Sequence, residues 1–287
     1  MINTDEVFME LVKKEIGVII STYNNPLWLE KTLWGYLYQT KPADEILIAD
    51  DGSDERTRLL IEKFKEKLPI KHIWHSDQGF RKTKILNLAI VEAKSDYLIF
   101  TDQDCIPRKD FIATHVHYAA RGFFLSGGYY KLPMSISMEL SHADVKCGQA
   151  FSLKWLRRHH LRIGLKCLKL INNYRFSFIM NMITPAKATW NGCNSSGWKC
   201  DILAVNGFNE EMQYGGEDRE FGERLFNYGV KSKQIRYSAI VLHLDHARPY
   251  KTKEVMKKND SIRKNTREKR TIRTNYGIEK HFFLIVS

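Results

Sequence analysis

Two periods of hydrophobicity share the first hundred residues. Short runs dominated by apolar side chains recur at EIGVIIST (15–22), EILIADD (45–51), IKHIWH (70–75) and YLIFTD (97–102). Each is too short for a helix of ordinary length and predicts a strand buried on both faces. Between them, NPLWLEKTLWGYLYQ, SDERTRLLIEKFKEKL and TKILNLAIVEAK carry apolar residues at helical spacing. Pro26 suits a first helical turn, and Ser53 followed by acidic residues suits a helix start. Strand and helix alternating at this rhythm predict an α/β fold, a mostly parallel sheet flanked by helices.

Ligands of such sheets bind beyond the carboxyl ends of the strands. Thr22, Tyr23 and Asn24 follow the first strand, Asp50 and Asp51 the second, Asp102 and Asp104 the fourth. No G-x-G-x-x-G follows the first strand and no G-x-x-x-x-G-K-[ST] occurs, so neither glycine-rich phosphate loop explains these ends. Two carboxylates one residue apart at the end of a buried strand repel each other and resist desolvation. A divalent cation resolves the conflict and leaves coordination positions for diphosphate oxygens.

Two further stretches carry chemistry. In QYGGEDREFGERLFNYG, Gly215 and Gly216 break the chain before Glu217 and Asp218, and a helix is predicted from there to Gly229. Acids at a helix start can be simple dipole partners; the glycine pair also lets backbone approach a ligand. In AIVLHLDHARPY, His243 and His246 leave a short apolar strand three residues apart, a spacing suited to metal binding.

Composition narrows the classes. A 287-residue chain with 43% hydrophobic and 12% aromatic residues can bury a sizeable core. No apolar run reaches the roughly 20 residues that span a bilayer, and the N-terminal MINTDEVFMELVKKE is acidic and amphipathic, so a cytoplasmic location is expected. Five cysteines without a C-x-x-C pair predict neither disulfides nor a zinc ribbon. The net charge of +12 is localised: residues 154–170 hold six Lys or Arg and no acid, residues 251–273 hold ten against three. These segments contribute +6 and +7, which leaves about −1 for the rest. A neutral body argues against a nucleic-acid binder, and the basic segments are expected to dock on an anionic membrane surface or to meet the acceptor.

The ordered motifs STYNN, ADDGS, DQGFRKTKILNLAI, FTDQDCIP, NGCNSS, NGFNEEM, YGGEDREF and HLDH resemble the family 2 glycosyltransferases of the GT-A fold. The second half resembles the galactosyltransferase-type C-terminal module of bacterial polysaccharide and lipopolysaccharide enzymes, and the likeness covers about residues 15–250. It implies a GT-A domain over 1–250, with a nucleotide-sugar half (15–125), an acceptor and catalytic half (126–250) holding a basic helical insertion at about 150–185, and a basic helical tail over 251–287. The implied donor is a UDP-sugar, the cofactor Mn²⁺ or Mg²⁺, and the acceptor a glycan or lipid-linked glycan.

The resemblance also implies roles. Thr22 and Tyr23, with neighbouring Asn24 and with Asp50 or Asp51, surround uracil and ribose; Arg81 lies near base or diphosphate; Asp102 contacts the sugar and ribose. Asp104 ligates the metal with His243 or His246, Asp218 is the general base, and Glu217 holds sugar or acceptor hydroxyls. The sequence departs from the family at Asn209, where an acid is frequent, and at Ser196 and Gly197, where an apolar residue is common. A nucleotidyltransferase is the competing enzyme class; it calls for a glycine-rich, lysine-bearing loop after the first strand, and ISTYNNP is not one.

Overall fold

The computed structural model describes residues 15–247 and 252–282. The acidic N-terminal segment and Lys251, which opens the expected tail, lie outside the described residues.

The four apolar runs form β1 (Ile16–Thr22), β2 (Glu45–Asp50), β3 (Ile70–Trp74) and β4 (Tyr97–Asp102), all parallel in the order β3-β2-β1-β4. Successive side chains of a strand point to opposite faces. Ile16, Val18 and Ile20 of β1 accordingly enter one core with Ile46, Ile48, Tyr97 and Ile99, while Ile19 enters a second with Leu47, Leu98 and Phe100. Both faces are covered by helices, which is why these runs are apolar instead of alternating. Helices α1 (Pro26–Leu37) and α2 (Glu55–Lys65) lie on the first face and α3 (Lys82–Glu92) on the second. Their starts follow local chemistry: Asn25 Oδ1 caps α1 ahead of Pro26, and the Asp54 side chain caps α2.

Past β4 the chain turns into β5 (Cys105–Pro107) and α4 (Phe111–Tyr118), then β6 (Phe123–Ser126) and β7 (Gly128–Lys131). Short helices α5 (Met134–Glu139), α6 (His142–Lys146) and α7 (Leu153–Arg158), a 3₁₀ turn over Leu165–Leu170 and α8 (Tyr174–Ile183) follow. Next come β8 (Ser195–Trp198), α9 (Lys199–Ala204), α10 (Glu217–Tyr228), β9 (Lys231–Gln234) and β10 (Ile240–His243). β8 joins β4 antiparallel and extends the large sheet to seven strands through β6 and β9. β5, β10 and β7 make a separate three-stranded sheet.

Helix α10 is fixed from below by a fully buried ion pair. Arg224 Nε lies 2.9 Å from Glu220 Oε1, and its other nitrogens donate to the carbonyls of Val205 (2.5 Å) and Gly207 (2.7 Å). Removing one member of such a pair strands a buried charge and costs about 3–5 kcal/mol. The last described segments are α11 (Lys253–Glu268) and α12 (Glu279–Phe282). The basic helix α11, expected from sequence to meet a membrane surface or the acceptor, is docked on α10. In α11, Arg263 and Arg267 reach Glu223 of α10 at 2.6 and 3.0 Å, and Thr266 Oγ1 donates to Glu220 at 3.0 Å. Part of that positive charge is therefore spent inside the molecule.

Candidate active site

A cleft of about 1060 Å³ opens at the carboxyl ends of β1 and β4, where the pattern of strand ends placed it. The D-x-D stretch forms the turn between the two sheets, and its two carboxylates part company there. Asp102 accepts hydrogen bonds from Ser21 Oγ at 2.6 Å and from Lys82 Nζ at 2.5 Å. Asp104 is buried and faces His246 Nε2 at 2.9 Å and His243 Nδ1 at 3.6 Å. The histidines arrive because β10 pairs antiparallel with β5, His243 opposite Cys105, and the Leu244 amide donates to the Asp104 carbonyl at 2.8 Å.

The ligand atoms of Asp104, His243 and His246 all lie within 4.8 Å of one another. The donor set suits a divalent cation on a specific ground. The His246 ring has Nδ1 against the Ala247 carbonyl at 2.8 Å and Nε2 against the Asp104 carboxylate. A neutral imidazole has one N–H, so one nitrogen would direct a lone pair at an oxygen. Either the ring is an imidazolium or Nε2 and the carboxylate share a cation. Burial would raise the Asp104 carboxyl, but the His246 hydrogen bond and the charges of His243 and His246 hold it below its usual range. A mixed carboxylate and imidazole set suits Mn²⁺ and leaves Mg²⁺ feasible.

The opposite wall is the start of α10. Gly215 and Gly216 have φ of +103° and +90°, which non-glycine residues rarely adopt, and a Cβ on them would meet Met256 Sδ at 2.4 Å and Arg263 Cδ at 2.9 Å. The loop is therefore pressed against α11, and Asn259 Nδ2 lies within 3.0–3.2 Å of the carbonyls of Gln213, Tyr214 and Gly215. Glu217, buried, accepts from the Gly215 amide at 2.8 Å; Asp218, more open, accepts from the Gly192 amide at 3.1 Å. Burial first and the charge of Asp218 second push Glu217 up to about 7, with Lys82 opposing. Lys82 itself stays charged: burial disfavours the ammonium, but Asp102, Glu217 and Asp218 outweigh it and raise its pKa.

Most of the residues singled out from sequence do meet in this cleft. Thr22, Tyr23, Asn24, Asp51, Asp102, Asp104, Glu217, Asp218, His243 and His246 all line it. Gln103 braces the end of β1, accepting from Thr22 Oγ1 at 2.5 Å and from the Tyr23 amide at 3.1 Å. Asp51 holds His75 at 2.7 Å and the Arg81 amide at 2.8 Å.

Asp50 and Arg81 are not among the lining residues. Asp50 lies behind the wall, its oxygens taken by His72 Nε2 and the Ser53 amide, both at 2.8 Å. Arg81 caps α3, its guanidinium turned back onto Gln78 Oε1 (2.7 Å) and the Ser76 carbonyl. Lys82, one residue on, points into the cleft instead. Sequence reasoning had stopped at Arg81; the helical phase of TKILNLAI, whose apolar residues face the sheet, was the signal for which cation faces the strand ends. Met256, Asp260 and Arg263 of α11 also line the cleft, and nothing in that highly polar segment marked them.

The cleft thus has a carboxylate and histidine cluster at one wall and a carboxylate pair with Lys82 at the other, and sequence comparison gives the family. The family described as "Glycosyl transferase family 2" matches residues 17–176, and "N-terminal domain of galactosyltransferase" matches residues 181–247. The chain belongs to glycosyl transferase family 2. It is 27% identical over 242 residues to the chondroitin synthase of Pasteurella multocida, covering 76% of this chain and 24% of the synthase. It is 26% identical over 243 residues to the validoxylamine A glucosyltransferase of Streptomyces hygroscopicus subsp. limoneus, covering 78% of this chain and 50% of the relative. The chain thus spans a quarter to a half of the length of these relatives.

Two solved structures share the fold. TarS 1-349 of S. aureus in complex with UDP-GlcNAc has a TM-score of 0.55 at 17% identity, over 82% of this chain and 59% of that one. The mannosyltransferase PcManGT of Pyrobaculum calidifontis, in complex with GDP-Man and Mn²⁺, has a TM-score of 0.56 at 17% identity, over 85% and 64%. The GT-A α/β architecture expected from the motifs is thereby shown.

Proposed function

We propose that this chain is an inverting, metal-dependent transferase that moves a hexose or N-acetylhexosamine from a UDP-sugar to a hydroxyl of a surface polysaccharide or lipopolysaccharide glycan. The observation that carries the reading is the division of the cleft: Asp104, His243 and His246 gather on one side, and a single carboxylate pair with Lys82 on the other. Thr22, Tyr23, Asn24 and Asp51 take the nucleoside, and Asp102 with Lys82 takes the sugar and the inner phosphate. What the divalent cation supplies when bound by Asp104 and the histidines is charge for the leaving diphosphate.

Asp218 is the more open acid of its pair and serves as the general base. It takes the proton from the acceptor hydroxyl while that oxygen bonds to the anomeric carbon; the bond from that carbon to the diphosphate breaks and UDP leaves with the electron pair. Glu217, held up to about 7 by its burial, is in part protonated near neutrality and donates a hydrogen bond to a sugar or acceptor oxygen. One base and no nucleophile invert the anomeric centre. The test is a screen of UDP-sugars with Mn²⁺ that reads UDP release and, by NMR, the product anomer. An inverted anomer and loss of UDP binding in EDTA are expected; a retained anomer or undiminished binding in EDTA overturns the corresponding part.

The same reading places the enzyme on the cytoplasmic side of a membrane, at an anionic surface where a lipid-linked glycan is the acceptor. Its support is the acid-free basic stretch and an apolar surface beside it. Among the described residues no helix is long and apolar enough to cross a membrane.

A further inference from the structure

Helix α8 is built inside out for a soluble surface. Its polar residues hold it to the protein: Ser177 is buried, and Asn181 donates to Ser238 Oγ and accepts from the Tyr237 amide, both at 2.9 Å. Its apolar residues face away. Tyr174, Phe178, Ile179, Met182 and Ile183 are all exposed, Met182 at 70% and Ile183 at 65%. Spacings of four and five residues put them on one continuous stripe. A surface helix of a soluble domain ordinarily turns such a stripe to the core. Leu165, 84% exposed on the preceding 3₁₀ turn, has the same character.

Charge identifies what fits over this stripe. From residue 145 to residue 200 the chain has ten Lys or Arg and not one Asp or Glu. A second copy of the chain is a poor occupant. A two-fold interface brings the same patch against itself, so cations would meet cations. An apolar layer beneath an anionic rim matches both features, and a bilayer containing anionic lipid has that structure. The segment also touches the cleft: Lys169 Nζ donates to the Tyr129 carbonyl at 3.3 Å and sits 5.4 Å above the Tyr129 ring, and Tyr129 lines the cleft.

We propose that the outward apolar stripe of α8, which lies within the acid-free basic stretch of residues 145–200, inserts into the headgroup layer of an anionic bilayer and so holds the cleft mouth at the membrane. The basic stretch 154–170, expected from sequence to meet a membrane surface or the acceptor, turns much of its own apolar surface inward. There Trp155, Leu156, Cys167 and Leu170 are buried, so that segment supplies cations and α8 supplies the insertion. The proposal rests on the lipid-linked acceptor for its purpose, but its test does not depend on it.

The experiment is sedimentation of the full chain with vesicles of phosphatidylcholine alone or with phosphatidylglycerol, at low and high salt. UDP binding with Mn²⁺ is measured in parallel as a separate reading of the nucleotide site. The variants are Phe178→Ser/Met182→Ser/Ile183→Ser and, for insertion, Met182→Trp with brominated acyl chains. Binding to the anionic vesicles is expected to fall at least about tenfold in the triple variant, from the apolar burial it gives up, with UDP binding unchanged. Bromine is expected to quench fluorescence in Met182→Trp beyond that of the wild type. The proposal is overturned by equal partitioning of wild type and triple variant, by absence of wild-type binding, by unquenched Trp, or by a wild-type dimer in ultracentrifugation that the triple variant loses. Vesicle binding without UDP binding would overturn the enzyme reading and leave the docking surface standing.

Discussion

The two walls of the cleft neutralise their carboxylates in different ways. On the Asp102 side the protein carries its own counter-ion: Lys82 sits among Asp102, Glu217 and Asp218 and remains charged because of them. On the Asp104 side it offers imidazoles, which supply a charge only when protonated or joined by a metal. One wall holds its counter-ion in the folded chain, whereas the other is the wall to which the proposed reading assigns a cation. Two aspartates one residue apart, which the sequence alone presents as one metal motif, are divided between these two tasks by the turn from β4 into β5.

The largest effect expected from breaking this division lies on the lysine side. Asp218→Asn is expected to keep UDP binding in calorimetry while turnover falls by about 10² to 10⁴, the range for loss of a general base. Near wild-type turnover would transfer the role to Glu217. On the other side, Asp104→Ala is expected to weaken UDP binding in Mn²⁺ by about 10² or more, at or above the upper end of losing an outer-shell partner, and to remove the difference made by EDTA. If metal dependence survived, the two walls would not differ as described.

A smaller effect follows from Lys82→Met, expected at about tenfold in turnover, the scale of one charge-assisted contact. Without its ammonium, the Glu217 carboxyl moves further up, so the pH–rate profile should shift to the alkaline side. An unshifted profile would detach Lys82 from the carboxylate pair. The smallest effect concerns stability. Glu217 is raised from 4.5 to about 7, so the folded protein keeps a proton that the unfolded chain releases between those values. The stabilisation is full below about 4.5 and is lost as pH rises through about 7. Glu217→Gln should flatten denaturant midpoints across that window; an unchanged slope would assign the pH dependence to other groups.

The half of the fold up to β4 was legible because its signals are local. β1, β2 and β4 are buried on both faces, so their apolar runs and terminal acids could be read without knowing any partner. Lys82 escaped because Arg81 and Lys82 are adjacent cations and only the phase of α3 selects between them. Asn259 escaped for the opposite reason. It is a polar residue in a polar helix, and its task of holding the carbonyls before Gly216 exists only once α11 lies across α10. The stripe of α8 was not read from the sequence, because which side of that helix faces outward is settled by Asn181 and the chain around Ser238.

The pairing of β10 with β5 has a consequence for how the protein comes into being. Asp104 precedes His243 by 139 residues and His246 by 142, from the difference of their numbers. During synthesis the parallel strands β1 to β4 emerge early, although the core on one of their faces is completed by later residues such as Trp190, Phe208 and Phe221. The imidazoles emerge late, after the acceptor wall and α10. A chain that ends before β10 therefore has Asp104 without its two imidazole neighbours, and the candidate ligand cluster is complete only when β10 is in place. On the proposed metal role, retention of the ion would report that β10 has paired with β5, and a product that ends before His243 would lack two of the three proposed ligands.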